Sequence, residues 1–230
     1  MGPVVVMAKL FIQTLWKLDY KWDEPLSGEL QSFWQQNRMS LSTLDSFFVP
    51  RWVGTTSTCL SVELHCFCDA SEKAYGACVY LRCVYTDGSV TTQLLISKSR
   101  VAPQDELKKK KRKQSILRLE LSSALLLSHL YDKVKHSILF HENSFFWTDS
   151  TIVKYWLASV PSRWQVFVGN RVSEIQHLTK GATYPYHVHF VSWNVCRSAS
   201  VSTQLVQRPS VAASRLTELA KRHSCVNRTI

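Results

Sequence analysis

The sequence predicts an α/β fold, in which helices flank one five-stranded mixed sheet and a small helical segment precedes it. One observation is a set of apolar runs joined by a hairpin signal, which indicates antiparallel strands. Another is that helical patterns separate the later strands, which implies parallel crossovers in the same sheet. The third is size: 230 residues that are 45% hydrophobic can bury a core and are not typical of a disordered chain.

Two amphipathic helices are predicted at the start of the chain. Apolar residues at three- and four-residue spacing predict the first over 8–22. The second begins near Pro25 and carries Phe33 and Trp34 on one face. The segment "PRWVG" (50–54) contains a proline and a glycine that break structure, and strand patterns follow it.

Three strands are predicted next, over 62–69, 75–85 and 90–98. Asp-Gly in "YTDGS" (85–89) supplies the turn geometry that matches strand twist, so the last two strands form a hairpin. The segment 99–114 is predicted to be a charged loop.

Helices and strands alternate in the remainder of the predicted fold. A long helix begins at Ser115, and the short buried strand that follows it ends in an aspartate within "SFFWTDST" (144–151). Two further helices are predicted over 150–158 and 161–178, the first capped by a serine or threonine. Alternation over 186–193 predicts the fifth strand.

These elements divide the chain into three predicted parts. Residues 1–55 form a helical segment, and 60–195 form the α/β domain. Residues 196–230 lack sustained periodicity, apart from a short helical pattern near 211–222, and are expected to be a degenerate, poorly ordered basic tail.

Cysteine and histidine spacing favours packing over metal binding. The seven cysteines form no C-x-x-C pair, and several lie in apolar strands, where free cysteine behaves as a small hydrophobe. Zinc ligation and disulfides are the less favoured alternatives. His187 and His189 share one strand face, where a packed or solvated pair is favoured over a two-ligand metal site.

The net charge of +11 is concentrated in two places. Residues 97–114 contribute +6 and residues 197–230 contribute +5. Local basic clusters suit a polyanion, and nucleic acid is the expected partner; a solvated lysine run is the alternative. The run "KKKKRK" also resembles a nuclear import signal. The candidate nucleic-acid-binding residues are Lys108, Lys109, Lys110, Lys111, Arg112 and Lys113.

No segment of the sequence is typical of a membrane protein. The longest apolar stretches are broken by polar residues and are shorter than the ~20 residues that span a bilayer. The N-terminus lacks a basic region and a cleavage site of the signal-peptide kind. The expected location is intracellular, cytoplasmic or nuclear, with no membrane partner.

Three acids stand at positions that predict a shared site. Asp69 ends the first strand, Asp149 ends the fourth, and Glu120 lies in the first turns of the long helix. If strands one and four are parallel neighbours, their carboxyl ends meet at one edge of the sheet. Taken singly, a strand-end aspartate is more often a turn or cap residue, and a lone helical glutamate is usually solvated. Their combination favours the shared site.

A hard cation would make such a cluster chemically sensible. Carboxylates held together repel one another, and burial alone would raise their pKa values until they became neutral. Mg²⁺ takes carboxylate oxygens, keeps several waters and bridges to phosphate. Two such ions ~4 Å apart activate a water and stabilise the leaving oxygen of a phosphodiester.

Four segments, together with the helical start of the chain, resemble the connection and ribonuclease H region of BEL/Pao-type retrotransposon polyproteins. The segments are "CFCDASEKAYGACVYLR", "SILRLELSSALLL", "FFWTDSTIVKYWL" and "PSRWQVFVGNRVSEIQ". The resemblance covers about residues 2–193. The region is often labelled a Pao retrotransposon peptidase, but the chain has no D-[ST]-G peptidase motif. Aspartic peptidase activity is therefore not expected.

The resemblance implies a ribonuclease H-like fold that cuts the RNA strand of an RNA–DNA hybrid with two Mg²⁺ ions, for which Mn²⁺ can substitute. Asp69, Glu120 and Asp149 match the family's first three acids, as catalytic residues and metal ligands. The basic run at 108–113 would contact phosphates of the hybrid or of another nucleic acid. The sequence does not predict an oligomeric state.

The resemblance fails at one point. Relatives follow the fifth strand with a D-N-P-A-D-like segment that adds a fourth acid, whereas this chain has no Asp or Glu between Glu174 and Glu218. Loss of that acid predicts weakened catalysis in a polyprotein fragment. The alternatives are a catalytically inert remnant that only binds nucleic acid, and an open reading frame without a cellular role.

Overall fold

The computed structural model describes residues 2–46, 48, 52–53, 58–103, 115–137, 143–180 and 190–192. The described residues lie in one compact unit that spans 1–192. Its helices are α1 (Gly2–Lys17), α2 (Gly28–Ser40), α3 (Ile116–Ser137), α4 (Thr151–Leu157) and α5 (Val166–Thr179). The structure also has two 3₁₀ turns, Leu41–Ser46 and Pro161–Arg163. No helix among these residues is both long enough and apolar enough to cross a membrane.

One mixed sheet forms the centre of the fold, as predicted. Its strands are β1 (Cys59–Ala70), β2 (Ala74–Tyr85), β3 (Val90–Val101), β4 (Asn143–Thr148) and β5 (Phe190–Ser192), in the spatial order β3-β2-β1-β4-β5. Of the fifth strand predicted over 186–193, the structure describes only the three residues of β5. The sheet therefore has four full strands rather than five, with a short segment paired beside β4.

The pairing of the strands agrees with the crossover pattern predicted from the sequence. β1, β2 and β3 form an antiparallel meander, and Gly88 adopts a positive φ of 78° in the Asp-Gly turn between β2 and β3. β1 and β4 are parallel neighbours. Parallel neighbours require a crossover connection, and α3 lies in the one between β3 and β4.

The main core lies between α3 and the sheet. Leu121, Ala124 and Leu127 of α3 are fully buried, and Leu64 and Cys66 of β1 are also fully buried. Alternate residues of β1 and β2 contribute to this layer because side chains in a strand point to opposite faces. These core contacts fix the position of α3 relative to β1. Both elements carry candidate site residues.

The two N-terminal helices pack on each other and on the edge of the sheet. Phe11 is 7% exposed and stacks on Phe33 and Trp34, with ring centroids 5.4 and 5.5 Å apart. Lys9 Nζ donates to Ser99 O at 3.0 Å, and Gln13 Nε2 donates to the backbone oxygen of residue 102 at 2.9 Å. The shared face predicted for the second helix is confirmed, and α1 covers the edge strand β3.

Three boundaries differ from the sequence prediction. The first helix begins and ends earlier than 8–22, and β3 continues to Val101, so the connection after it is shorter than the predicted loop 99–114. The helix predicted over 161–178 is a 3₁₀ turn followed by α5, because Gln165 has an extended backbone. Residues 104–114 and 193–230 lie outside the described residues, as do His187 and His189.

Candidate metal and nucleic-acid site

Asp69 and Asp149 lie at the same end of two neighbouring parallel strands. In the β1–β4 register Phe67 is opposite Trp147. Two residues further along each strand the register reaches Asp69 and Asp149, so these residues occupy matching positions at the carboxyl ends. Both residues are exposed to solvent. The register thus brings the two aspartates to one edge of the sheet.

Ser150 connects the third acid to this edge. Its Oγ donates to Glu120 Oε2 at 2.6 Å, and Glu120 itself is half-buried in the second turn of α3. The same Oγ accepts from the backbone N–H of Val153 at 3.2 Å and so caps α4. Because Ser150 directly follows Asp149, one short bond joins the glutamate on α3 to the end of β4.

The surroundings of Asp69 raise the pKa of its carboxyl group. Burial by neighbouring protein atoms raises this pKa most, and the negative charges of Asp149 and Glu120 raise it further. The backbone N–H of Ala70 donates to Asp69 Oδ1 at 2.7 Å and acts in the opposite direction. The ionised form of Asp69 is therefore disfavoured where it stands, which is the situation that a nearby cation would relieve.

A buried thiol lies beneath the acids. Cys68 is 6% exposed, and burial is the largest of the effects that raise its pKa to about 12. Hydrogen bonds with Ser123 and Thr148 act in the opposite direction. A thiol with this pKa stays protonated at neutral pH and is a poor metal ligand. The five cysteines in the described part of the chain are all free.

A glycine leaves space beside Asp69. Gly76 is the partner of Asp69 across the β1–β2 ladder. Cross-strand partners point to the same face, so a side chain at 76 would stand next to the carboxylate. A Cβ on Gly76 would also lie only 3.4 Å from Lys98 O. Sequence reasoning missed this residue, because the register that pairs it with Asp69 is not visible in the sequence.

The three acids fit a hard divalent cation in donor type, although they do not close on a common point. Within the described ranges, no three His, Cys, Asp or Glu side chains form a group that could hold a metal ion as they stand. Mg²⁺ commonly binds through one or two carboxylates, and water fills the other positions. The mutual repulsion at Asp69 and the oxygen-only donor set both suit such an ion.

The basic run cannot be placed relative to the acids. Lys108, Lys109, Lys110, Lys111, Arg112 and Lys113 all lie outside the described residues. The run connects β3 to α3, and Glu120 lies in the second turn of α3. Its role in nucleic-acid binding therefore stays a prediction.

Comparison with known families gives a match over most of the described fold. The family described as "Pao retrotransposon-like RNaseH-like domain" matches residues 1–150. The matched span contains α1 to α3, β1 to β4 and the three acids. No curated protein matches the chain.

Two solved structures with ribonuclease H in their descriptions are similar to part of the chain. The N-terminal RNase H domain of a Mycobacterium tuberculosis protein, solved as a fusion with maltose-binding protein, has 16% identity and a TM-score of 0.36, over 58% of this chain and 85% of that chain. RNase H1 from the halophilic archaeon Halobacterium salinarum has 12% identity and a TM-score of 0.33, over 60% of this chain and 91% of that chain.

Proposed function

The chain belongs to the Pao retrotransposon-like RNaseH-like domain family, and from this premise we propose that it cleaves the RNA strand of RNA–DNA hybrids with divalent metal ions. The support for this activity is mainly geometric: Asp69 and Asp149 follow matching register positions of β1 and β4, and Glu120 is bonded to Ser150. The charges of Asp149 and Glu120 both raise the pKa of Asp69 as well. Isolated surface carboxylates would not influence each other in this way. The chain is then a fragment of a retrotransposon polyprotein.

The residues have distinct roles in this proposal. Asp69 and Asp149, which are exposed at the ends of parallel strands, would hold Mg²⁺ or Mn²⁺. Glu120 would complete the set from α3, and Ser150 fixes its carboxylate through the 2.6 Å bond. Bound divalent ions supply an activated water and stabilise the leaving oxygen. The 2′-hydroxyl distinguishes RNA from DNA at the site of cleavage.

A second candidate function is nucleic-acid binding without cleavage. The stretch between Glu174 and Glu218 contains no acid that could add a fourth ligand. The three acids of the described fold also form no closed metal-binding group. Both observations favour weak metal binding, and the net charge of +11 would retain affinity for a polyanion.

A cleavage assay separates the two candidates. The substrate is a hybrid with an end-labelled RNA strand, incubated with Mg²⁺ or with EDTA. We expect slow Mg²⁺-dependent cleavage by the wild-type chain and a loss of at least about 100-fold in Asp69→Asn and Asp149→Asn. Asp87→Asn is the matched control, because Asp87 lies in the turn at the opposite end of the sheet and Asn-Gly is an equally good turn.

Two results would contradict the enzymatic proposal. Hybrid binding without any cleavage in Mg²⁺ or Mn²⁺ would favour the binding remnant. Cleavage that persists in EDTA, or that is unchanged in Asp69→Asn, would show that the activity does not come from the three acids.

A further inference from the structure

A small cavity lies between the sheet and two helices, separate from the acids. Its volume is about 120 Å³. Water occupies ~30 Å³ per molecule, so the space corresponds to about four waters, which is comparable to the size of one phosphate group. The polar residues that line the cavity come from four elements: Tyr75, Arg100, Ser122, His129 and Arg171. We call it the arginine cavity.

Arg171 stands in the cavity wall, and no side chain in the described part of the chain forms an ion pair with it. Its guanidinium lies 3.6 Å from the centroid of the Phe167 ring, and its Nη1 donates to Phe167 O at 3.0 Å. Its Nε is buried and has no hydrogen-bond partner among the described residues. A buried donor without a partner is costly, and an anion that accepts from it would remove that cost.

A second guanidinium raises the positive potential around Phe167. Arg118 lies 4.6 Å from the centroid of the same ring. Loss of hydration lowers the pKa of Arg171, and the charge of Arg118 lowers it further, whereas the nearby Tyr75 and Glu174 raise it. Like charges held this close repel each other unless an anion lies between them or beside them.

One carboxylate partly offsets this charge. Glu174 Oε1 lies 3.2 Å from His129 Nε2, and both side chains are about half exposed. No carboxylate in the described part of the chain forms an ion pair with Arg100 or Arg171. Two arginines therefore line the cavity and a third contacts Phe167, whereas the nearby Glu174 already has a partner.

The strand register places the cavity near the same end of the sheet as the acids, on the helix-covered face. Asp69 pairs with Gly76, the next residue Tyr75 lines the cavity, and Tyr75 pairs with Arg100 on β3. Two interstrand spacings separate β1 from β3, which amounts to about 10 Å. A nucleic-acid strand carries one phosphate per ~3.4 Å of helix axis. Asp69 and Gly76 point to one face of the sheet, whereas Tyr75 and Arg100 point to the other. A strand with its scissile bond at the acids would therefore bring another phosphate to Arg100 by passing around the end of the sheet.

We propose that the arginine cavity binds a backbone phosphate of the nucleic acid, held by the guanidinium groups of Arg100 and Arg171. This inference rests on the proposed function for the source of the phosphate, but not for the site itself. Arginine is suited to the role because its planar fork donates two parallel bonds to phosphate oxygens.

The test compares single-charge variants in a binding assay. Affinity for a fluorescent hybrid is measured in EDTA, which prevents metal-dependent cleavage, over a range of salt concentrations. Arg100→Gln is expected to weaken binding about tenfold and to lower the salt slope by about 1. Lys133→Gln, on the exposed far part of α3, removes the same charge and is expected to change affinity less than about twofold. Glu174→Gln is expected to tighten binding about twofold.

A second arm of the experiment identifies the ligand. Inorganic phosphate is titrated into the chain, and NMR shifts of the Tyr75 and Arg171 amides are followed. We expect shifts in the wild type and their loss in Arg100→Gln. Equal effects of Arg100→Gln and Lys133→Gln on hybrid affinity would overturn the proposed site while leaving hybrid binding intact. Phosphate shifts in a chain that binds no hybrid would instead contradict the nucleic-acid source and the proposed function.

Discussion

At the scale of single residues, Asp69 shows a conflict between stability and the proposed function. Its carboxylate is open to solvent on one side but loses part of its hydration to neighbouring protein atoms, and two other acids repel it. The folded chain therefore holds its charged form at a cost. Residues that bind ions are often destabilising until the ion arrives. This cost to the stability of the fold can be measured by removing the charge of Asp69.

Asp69→Asn is expected to raise the melting temperature at pH 7 in EDTA, by about 1–3 °C. The folded state raises the pKa of Asp69 and so binds its proton more tightly than the unfolded chain, whose Asp pKa is about 3.9. The wild-type residue therefore loses stability as the pH rises through the folded pKa, and the gain in the variant shrinks towards pH 4. Thermal unfolding of the wild type and of Asp69→Asn at pH 7 and pH 4 measures this difference in melting temperature.

The control for this prediction is Asp87→Asn. The pKa of Asp87 is lowered by its bonds with Ser89, so removal of this charge should not stabilise the fold. Addition of Mg²⁺ should raise the melting temperature of the wild type and not that of Asp69→Asn. An equal rise in both would indicate that the ion binds elsewhere.

Ser150 is the residue whose double role is easiest to test. Ser150→Ala loses the 2.6 Å bond to Glu120 and the N-cap of α4, which together predict a loss of about 2 kcal/mol in urea unfolding. Ser150→Thr retains a hydroxyl and should recover most of that stability. If Ser150→Ala cleaves hybrid at the wild-type rate, the bond does not position Glu120 for catalysis.

At the scale of elements, the sequence predicted which segments are helices and strands better than where they end. Periodicity identified α3 because this helix has one buried face over many residues, and the Asp-Gly turn identified the β2–β3 hairpin. β3 continues beyond its last apolar alternation because backbone pairing with β2 runs on to Val101. Such pairing depends on register, which composition does not reveal.

The interruption of the predicted helix before α5 is a second boundary that the sequence pattern did not predict. Pro161 and the following residues have a helical composition, yet the chain forms a 3₁₀ turn and restarts at Val166. Gly169 explains the arrangement, since α5 approaches the turn so closely that a Cβ at this position would lie 2.9 Å from Pro161 O. A close approach between two segments depends on tertiary packing, which the local sequence pattern does not show.

Gly169→Ala is therefore expected to destabilise the fold by about 2 kcal/mol, because the new methyl group overlaps a backbone oxygen that cannot easily move. Gly28→Ala is the matched control. It lies in the first turn of α2 with nothing within 4 Å of the added Cβ, and should stabilise by about 0.5 kcal/mol. Denaturant unfolding of both variants checks the contrast. Equal effects would show that the approach of α5 is not tight.

At the scale of the whole molecule, charge and topology are complementary. Topology brings acids at the ends of β1 and β4 and on α3 towards one edge of the sheet, and arginines from β3 and α5 line the cavity on the helix-covered face. The order of these residues in the sequence predicted the acids, because strand ends in a parallel pair converge. It did not predict the arginine cavity, because its residues come from different elements and match no linear motif.

The most direct test of the central claim is the localisation of a bound Mn²⁺ ion by NMR. Paramagnetic Mn²⁺ broadens nearby amide signals and serves as the substitute for Mg²⁺. We expect the amides of Ala70, Leu121 and Ser150 to broaden first in the wild type, and the broadening to be lost in Asp69→Asn. Broadening confined to other parts of the chain, or unchanged in Asp69→Asn, would contradict the claim that these acids bind divalent ions together.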